Sequence, residues 1–302
     1  MLEGQPLSQD VILITGGGSG LGKSMAQTLA QLGAKITILG RRQSVLEEAA
    51  QEITNATNRP SEDILPLPCD VRDFPAVEKA VETTAQTFGK ITGLINNAAG
   101  NFLAQTEKLS PNGFKTIVDI VLNGTFHATL AAGRKMIQQN TGGNILNITT
   151  TYAWMGSAFV VPSACAKAGV LAMTRSLAVE WAEYKIRINA VAPGPFPTPG
   201  AWEKLMPEGM EDFAKTKIPL KRFGKHHELA NLCAYLMSPY SAYITGACIP
   251  IDGGEWLMGG EFNHLTLTLN PEQRSQIFEM MRERQKSKKN HPKQNPPQKN
   301  NP

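Results

Sequence analysis

The chain has 302 residues, of which 41% are hydrophobic and 19% charged, a composition typical of a globular protein with one large core. No apolar run reaches the roughly 18–20 residues that a membrane-spanning helix requires, so we expect no membrane partner. The formal net charge is +4, but residues 281–302 hold seven Lys or Arg and one Glu, so the body of the chain gives no reason to expect nucleic-acid binding.

Seven apolar segments, most of them followed by helical patterns, predict the fold. The predicted strands are Val11–Thr15, Lys35–Leu39, Asp63–Leu67, Gly93–Asn96, Asn144–Thr149, Arg187–Ala192 and Ala247–Ile251. Helical periodicity is clear at Lys23–Leu32, Ser44–Thr54 and Pro75–Phe88. Strands that alternate with helices form parallel sheets covered on both faces. We therefore expect an α/β fold with a single Rossmann-like, doubly wound domain over residues 1–262, built on a mostly parallel seven-stranded sheet.

Two later segments depart from this alternation. Pro193–Gly224 carries six prolines directly after a predicted strand, which predicts a long binding loop or lid. Asn270, Pro271 and Glu272 form a helix start, so we expect a C-terminal helical extension over residues 263–285. Residues 286–302 are rich in Lys, Asn, Pro and Gln without apolar periodicity, and we expect a disordered basic tail there.

A glycine-rich turn, TGGGSGLG, joins the first strand to the first helix at residues 15–22. Glycines in this place let the backbone approach a pyrophosphate, which then lies at the N-terminus of the helix. The expected contacts to a dinucleotide are Gly16, Ser19, Gly20, Leu21 and Gly22. The spacing is not the strict GxGxxG, so a tight turn without a ligand is the alternative.

The residue after the second strand distinguishes the two nicotinamide dinucleotides. NAD enzymes usually place an acid there for the ribose 2′-hydroxyl, whereas this chain has Arg41 and Arg42. Arginine complements a 2′-phosphate, so Arg41 predicts NADPH; a solvated arginine pair is the alternative. After the third strand, Asp70 is expected either to accept a hydrogen bond from the adenine amino group or to cap the next helix.

Small residues end the fourth strand in the sequence NNAAG, at residues 96–100. They leave room beside the strand end, where doubly wound folds bind their ligands. We therefore expect Asn97 to contact the cofactor.

The motifs occur in one order: TGGGSGLG, NNAAG, VLNGT with Asn123, NITT, SACAKAG with Lys167, and PGPF. Over roughly residues 8–255 this order resembles the short-chain dehydrogenase/reductase superfamily. The resemblance implies that the cofactor contacts also include Lys167, Pro193, Gly194 and Phe196.

One position departs from that superfamily. Most members carry Tyr-xxx-Lys, but the residue four before Lys167 is Ser163, and the nearest tyrosine is Tyr152. An aliphatic hydroxyl is far too weakly acidic to replace the phenol as a proton donor.

With its tyrosine in this displaced position, the chain resembles one subgroup, the mitochondrial-type 2,4-dienoyl-CoA reductases. The similar stretches are INNAAGNF (95–102), DIVLNGT (119–125), ITTTYAWMGSAFVVPSACAKAGV (148–170), PGPF (193–196), and DGGE and GEFN within 252–263. The resemblance implies that Tyr152 is the active-site hydroxyl and that Lys167 holds the nicotinamide ribose. It also implies that Asn101 and Ser163 line the thioester end of the pocket.

The implied reaction is NADPH-dependent reduction of a fatty 2,4-dienoyl-CoA to a 3-enoyl-CoA in the β-oxidation of unsaturated fatty acids. Hydride goes to C5 and a proton to the α-carbon, so the carbonyl oxygen lies far from the hydride donor, within reach of a tyrosine on the loop after a strand. Phe102 and Lys204 are further expected substrate contacts, and the superfamily suggests a homotetramer.

Two alternatives stay open at this point. One is a reductase of 3-oxoacyl thioesters or other carbonyl compounds, with Tyr152 as its proton donor. The other is a non-catalytic NADPH-sensing protein, because the usual tyrosine is missing. The roles of Thr150 and Asn123 are open as well.

The N-terminus and the cysteines both favour a reducing compartment. The first ten residues, MLEGQPLSQD, lack the pattern of a signal peptide, so we expect a cytoplasmic protein. Wide spacing without a CxxC pair predicts reduced thiols, no disulfide and no metal site. The four cysteines are Cys69, Cys165, Cys233 and Cys248.

Arg41 generates a prediction for cofactor preference. Arg41→Ala removes a charge-assisted contact to the 2′-phosphate, so the KM for NADPH should rise by the equivalent of about 1.5–3 kcal/mol. The KM for NADH should hardly change. Steady-state kinetics with both cofactors measures this, and an equal effect on both would contradict the assignment.

Overall fold

The computed structural model describes residues 4–200 and 202–290. Its centre is a seven-stranded sheet in which every neighbouring pair of strands is parallel. The strands are β1 (Val11–Thr15), β2 (Lys35–Gly40), β3 (Ile64–Pro68), β4 (Gly93–Asn96), β5 (Gly143–Ile148), β6 (Ile186–Pro193) and β7 (Cys248–Ile251). Each lies within one residue of its predicted bounds, and the spatial order is β3-β2-β1-β4-β5-β6-β7. The predicted α/β Rossmann-like fold is confirmed, with a sheet that is wholly parallel.

Helices connect the strands and cover the sheet. In the described part of the chain they are α1 (Gly20–Gln31), α2 (Gln43–Thr57), α3 (Phe74–Phe88), α4 (Pro111–Val118), α5 (Gly124–Gln139), α6 (Tyr152–Met155), α7 (Val161–Glu180), α8 (Trp202–Leu205), α9 (Glu211–Lys217), α10 (His226–Met237), α11 (Leu265–Thr268) and α12 (Pro271–Asn290). Asp119–Asn123 forms a π-helical turn between α4 and α5. None of the helices described in 4–200 and 202–290 is long and apolar enough to cross a membrane.

Two segments differ in detail from the sequence expectation. The proline-rich segment Pro193–Gly224 is not a plain loop, since it contains α8 and α9. Helix α12 begins at the expected Pro271 but continues to Asn290, past the expected start of the tail at residue 286. The remainder of the expected tail, 291–302, lies outside the described residues.

Two compact units make up the chain, one ending at Trp256 and the other beginning at Leu257. The first unit holds the whole sheet, and the second holds α11 and α12. We retain the division into residues 1–262, 263–285 and 286–302 as a proposal.

Alternation along the strands builds a core on each face of the sheet. Ile12 and Ile14 of β1 belong to a buried cluster that includes Met25 of α1 and Leu229 of α10. Leu13, between them, belongs to a second cluster with residues of α3 and α5. Because successive side chains of a strand point to opposite faces, an uninterrupted apolar strand supplies both clusters at once.

A buried chain of polar side chains ties two helices to the middle of the sheet. The Asn96 amide (β4) donates to Thr129 Oγ1 (α5) and to Asn147 Oδ1 (β5), both at 2.9 Å. The Asn147 amide donates in turn to Thr174 Oγ1 (α7) at 2.8 Å. Buried polar groups are costly unless they are hydrogen-bonded. This network therefore favours one placement of α5 and α7 on β4 and β5.

The network predicts an effect on stability. Asn147→Ala removes the acceptor of Asn96 and the donor to Thr174, so the free energy of unfolding should fall by about 1–3 kcal/mol. Asn55→Ala is the matched control, because Asn55 accepts its hydrogen bond on the exposed face of α2. Urea denaturation compares the two variants, and similar small effects would mean that the network adds little.

Candidate active site

The carboxyl ends of the central strands lie side by side. Thr15 of β1 pairs with Asn96 of β4, and Asn96 pairs with Asn147 of β5. The strand order reverses between β1 and β4. Ligands of doubly wound folds bind in the crevice outside the strand ends at such a reversal. The loops after β1, β4, β5 and β6 therefore converge on the candidate site.

The glycine-rich turn after β1 is packed too tightly for side chains. Gly16 has a φ of +66°, and a β-carbon on Gly22 would lie 2.1 Å from the carbonyl oxygen of Gly16. Ser19 is the N-cap of α1, and its side chain makes no capping hydrogen bond. The first backbone N–H groups of α1 are thus free to receive an anion. The turn, with Gly20 and Leu21, fits the pyrophosphate of a dinucleotide.

Asn97 braces this turn. Its amide nitrogen donates to the carbonyl oxygens of Thr15 and Gly16 at 3.1 and 3.2 Å. The hydroxyl oxygen of Thr15 accepts from the backbone N–H groups of Asn97 and Ala98, each at 3.0 Å. The structure thus places Asn97 beside the turn with its amide hydrogen-bonded to protein backbone. Direct contact of Asn97 with a cofactor stays a prediction.

Arg41 and Asp70 lie near each other, at the ends of β2 and β3. The backbone N–H of Cys69 donates to Gly40 O at 2.7 Å, which brings the two strand ends together. Arg41 is exposed. The hydrogen bond from Arg72, at 2.6 Å, is the main reason that the pKa of Asp70 is lowered, and the nearby charge of Arg41 contributes. Asp70 is therefore ionised and accepts hydrogen bonds.

Arg72 was missed by the sequence reasoning. The signal was the spacing Asp70-x-Arg72, but whether two side chains so close in sequence meet depends on the loop between them. Here the guanidinium contacts both carboxylate oxygens of Asp70.

Three polar side chains come together after β4 and β5. The hydroxyl oxygens of Tyr152 and Ser163 are 3.0 Å apart. The Asn101 amide donates to the Tyr152 hydroxyl over 3.4 Å, a long hydrogen bond. The sequence predicted all three as site residues from separate segments, and the structure brings them into contact. The half-buried phenol thus accepts from Asn101 and either donates to Ser163 or accepts from it.

Helix α6, which begins with Tyr152, packs against the segment that follows β7. The helix is a single turn, closed by a hydrogen bond from Gly156 N to Tyr152 O. Trp154 packs edge-to-face against Trp256 with ring centroids 5.7 Å apart. The backbone N–H of Trp256 donates to Asp252 Oδ2 at 2.8 Å, just after β7. The end of β7 thus supports the turn that carries the tyrosine.

Lys167 lies one helical turn after Ser163 on α7. Its side chain is buried, and its ammonium donates to Ile148 O at the end of β5 over 2.5 Å. Burial lowers the pKa of Lys167 to about 8, since a charged amine is disfavoured away from water. An ammonium has three donors, so this one bond leaves donors for a cofactor hydroxyl.

Thr150 and Asn123 have different surroundings. The hydroxyl of Thr150 is buried and has no hydrogen-bond partner among the described residues. The exposed Asn123 ends the π-helical turn and donates to Asp119 Oδ1 at 2.9 Å. The structure therefore does not bring the Asn123 amide to the tyrosine, and it leaves the Thr150 hydroxyl unpaired beside the site.

The two further expected substrate contacts differ in exposure. Phe102 packs against the small cluster of Ile117, Val121 and Ala166. Lys204 is exposed on α8. Contact of either with a substrate stays a prediction.

The segment after β6 closes the other side of the crevice. A β-carbon on Gly194 would lie 2.6 Å from Asp252 Cβ, and Phe196 is buried. A β-carbon on Gly20 would lie 3.2 Å from Thr198 Cγ2. The stretch from Pro193 therefore passes against the glycine-rich turn, and Thr198 is a site neighbour that the sequence reasoning missed.

Known proteins are similar to this chain in sequence and in fold. A family model described as enoyl-(acyl carrier protein) reductase matches residues 16–255. A Bacillus subtilis protein, named as a probable 2,4-dienoyl-CoA reductase that produces (2E)-enoyl-CoA, is 46% identical over 254 residues, covering 83% of this chain and 98% of that protein. A Caenorhabditis elegans protein, named as a probable 2,4-dienoyl-CoA reductase that produces (3E)-enoyl-CoA, is 46% identical over 258 residues, covering 84% and 81%.

A solved structure agrees. The crystal structure of a short-chain dehydrogenase from Bacillus anthracis has a TM-score of 0.76 at 45% sequence identity, covering 82% of this chain and 96% of that one. With this fold and these relatives, the chain belongs to the short-chain dehydrogenase/reductase superfamily and is an oxidoreductase similar to 2,4-dienoyl-CoA reductases.

Proposed function

We propose that the chain is a 2,4-dienoyl-CoA reductase with an active site of the mitochondrial type, which uses NADPH and forms a 3-enoyl-CoA. The observation that carries the proposal is the contact of Tyr152 with Ser163 and Asn101. It supplies a phenol at a place other than the usual Tyr-xxx-Lys position, where the chain has Ser163. The names of the relatives support the same substrate class.

The residues that hold the dinucleotide in this proposal come from the ends of β1 and β2 and from α7. The turn Gly16–Gly22 and the N-terminus of α1 receive the pyrophosphate, Arg41 pairs with the 2′-phosphate, and Lys167 holds the nicotinamide ribose. When bound, NADPH supplies the hydride that reduces C5 of the dienoyl chain. The absence of an acid beside Arg41 supports NADPH over NADH.

Tyr152 and Asn101 act on the thioester carbonyl. As C5 is reduced, negative charge develops on the carbonyl oxygen, and donors fixed in advance at that position stabilise it. The phenol O–H and the Asn101 amide provide two such donors, 3.4 Å from each other. Ser163, buried on α7, accepts or donates at 3.0 Å and keeps the phenol oriented.

The position of the proton sets the product. Protonation at the α-carbon gives a 3-enoyl thioester, and protonation at C4 gives a 2-enoyl thioester. The α-carbon is two bonds from the carbonyl oxygen, whereas C4 is four bonds away. Because Tyr152 is assigned to that oxygen, the phenol lies nearer to the α-carbon than to C4, which supports the 3-enoyl product.

Assembly and compartment are separate proposals. We expect a homotetramer built partly on α7, where Ala168 and Ala172 are exposed and Ala164 is half-buried. Small residues on an outward helix face allow close approach of another helix. The four free cysteines support a reducing compartment such as the cytoplasm.

Tyr152→Phe tests the function directly. The substitution keeps the ring but removes the donor, so turnover of 2,4-hexadienoyl-CoA should fall by about 100- to 1000-fold. The Kd for NADPH should stay the same, because its proposed contacts lie elsewhere. Rates come from NADPH absorbance, and Tyr184→Phe is the control because Tyr184 is exposed and outside the site.

Two outcomes would contradict this assignment. Tyr152→Phe that keeps most of its dienoyl-CoA turnover would show that the phenol is not the donor. Wild-type protein that reduces acetoacetyl-CoA but no dienoyl-CoA would make the chain a carbonyl reductase. Product analysis by NMR separates the 3-enoyl from the 2-enoyl thioester.

Lys167 predicts a pH dependence of stability for the protein without cofactor. Burial lowers its pKa from 10.5 to about 8, so between these pH values the unfolded chain binds more protons than the folded chain. Stability therefore rises with pH in this window, by at most about 1.4 kcal/mol per pH unit. Lys167→Met should lack the rise. Denaturant unfolding of both proteins measures the difference, and a constant difference from pH 8 to 10.5 would contradict a buried, titrating amine.

A further inference from the structure

A backbone hydrogen bond joins the two loops that carry the site. The N–H of Ala104 donates to the carbonyl oxygen of Phe159 at 2.9 Å. One loop begins at Asn101, and the other runs from the end of α6, which carries Tyr152, to the start of α7, which carries Ser163. The side chains next to this bond therefore lie at the entrance to the polar group of the site.

Phe159 adopts a backbone conformation that is rare for its residue type. Its φ is +65°, in the left-handed region, which costs free energy for a bulky aromatic residue. Among the described residues, the other non-glycine residues with positive φ are Asn58, Asn140, Lys185 and Lys221. The two asparagines end helices, where this conformation is common. Strained residues persist where the surrounding structure holds them, often at ligand sites.

The strained conformation leaves an apolar side chain in water. Phe159 is 55% exposed, Met155 52% and Leu103 45%. We call these three residues the apolar rim. They belong to the two loops joined by the Ala104–Phe159 bond and to α6, which precedes the second loop. Apolar side chains exposed near one another are typical of a binding surface for an apolar group.

Charge identifies which part of an acyl-CoA fits the rim. Residues 101–104 and 153–163 contain no charged side chain. The CoA end carries phosphates, which need cations. The acyl chain is joined to the carbonyl that Tyr152 and Asn101 bind in the proposed function, and beyond the diene it consists of methylene groups. An uncharged apolar surface beside the carbonyl site suits this end of the thioester.

We propose that Phe159, with Leu103 and Met155, binds the acyl chain beyond the diene and makes the enzyme select long chains over short ones. This inference rests on the proposed function, since that function places the thioester at Tyr152. The bond from Ala104 to Phe159 holds the backbone of Phe159 against the loop that carries Leu103, and the positive φ sets the direction in which its side chain leaves that backbone. Phe159 is thus a specificity-determining residue.

Binding of unreactive ligands tests the rim without turnover. Calorimetry with NADP⁺ present gives the Kd for hexanoyl-CoA and for decanoyl-CoA. The wild-type protein should bind the longer chain more tightly, because each buried methylene adds favourable free energy. Phe159→Ala should reduce the ratio of the Kd for hexanoyl-CoA to the Kd for decanoyl-CoA by about tenfold. Phe159→Leu, which stays apolar, should retain most of the preference, and Tyr243→Ala, fully exposed elsewhere, should leave it unchanged.

Kinetics with 2,4-hexadienoyl-CoA and 2,4-decadienoyl-CoA gives the second readout. Phe159→Ala should lower kcat/KM for the longer substrate by about tenfold and hardly alter kcat/KM for the shorter one. Leu103→Ser should lower the ratio of kcat/KM for the longer substrate to kcat/KM for the shorter one. Because Leu103 has no strained backbone, this variant tests the inference if Phe159→Ala does not fold. An unchanged ratio in both variants overturns the inference.

The inference and the proposed function fail in different ways. If the wild-type protein turns over no dienoyl-CoA, the proposed function fails, while the chain-length dependence of binding still tests the rim. If turnover is normal and Phe159→Ala changes only the sedimentation coefficient, the rim is a contact between copies of the chain, and the inference is wrong.

Discussion

Parallel pairing of β1, β4, β5 and β6 is the constraint on which the site depends. Because Thr15, Asn96 and Asn147 are neighbours in the sheet, the loops that follow these strands must begin at one level. A shift of one residue in any strand would exchange the side chains that pack in the two cores and move its loop out of level with the others. The hydrogen bond between Asn96 and Asn147 opposes such a shift from inside the core.

That fixed edge explains how a tyrosine outside the usual position can serve the site. Tyr152 is in the first turn after β5, whereas Ser163 and Lys167 are on α7, one helical turn apart. The phenol reaches Ser163, eleven residues further along the chain, because the five-residue loop between α6 and α7 folds back. Lys167 stays tied to the end of β5 through Ile148. The phenol at the start of α6 and the ammonium on α7 are thereby held by different partners, Ser163 and Ile148.

Sequence reasoning predicted the regular elements and the members of the polar cluster well. Apolar runs bounded by turn residues placed each strand within one residue, because burial on both faces leaves a continuous signal. The family resemblance named Tyr152, Ser163 and Asn101 as site residues, and the contact of Tyr152 with Ser163 is seen only in the structure. Helix α9 was hidden because Pro207 and Pro219, which flank it, suggest a loop.

Other features had no sequence signal of their own. The positive φ of Phe159 is unexpected for an aromatic residue and arises from a hydrogen bond to a distant loop. The partly buried Phe102, an expected substrate contact, also packs against a small core that only the placement of α4 and α7 creates. Arg72 meets Asp70 because the turn between them folds back. Each depends on tertiary contacts that local patterns do not encode.

The contrast between Arg41 and Lys167 has a consequence for behaviour in salt. Arg41 is exposed at the strand edge, whereas Lys167 is buried beneath the loops. Mobile ions screen the attraction between solvent-exposed charges over a Debye length of about 10 Å at 0.1 M ionic strength, which shortens as salt is added, and they affect buried charges far less. Discrimination between phosphorylated and unphosphorylated dinucleotides, assigned to Arg41, should therefore weaken as ionic strength rises. The contact assigned to Lys167, with the nicotinamide ribose that NADPH and NADH both contain, should persist.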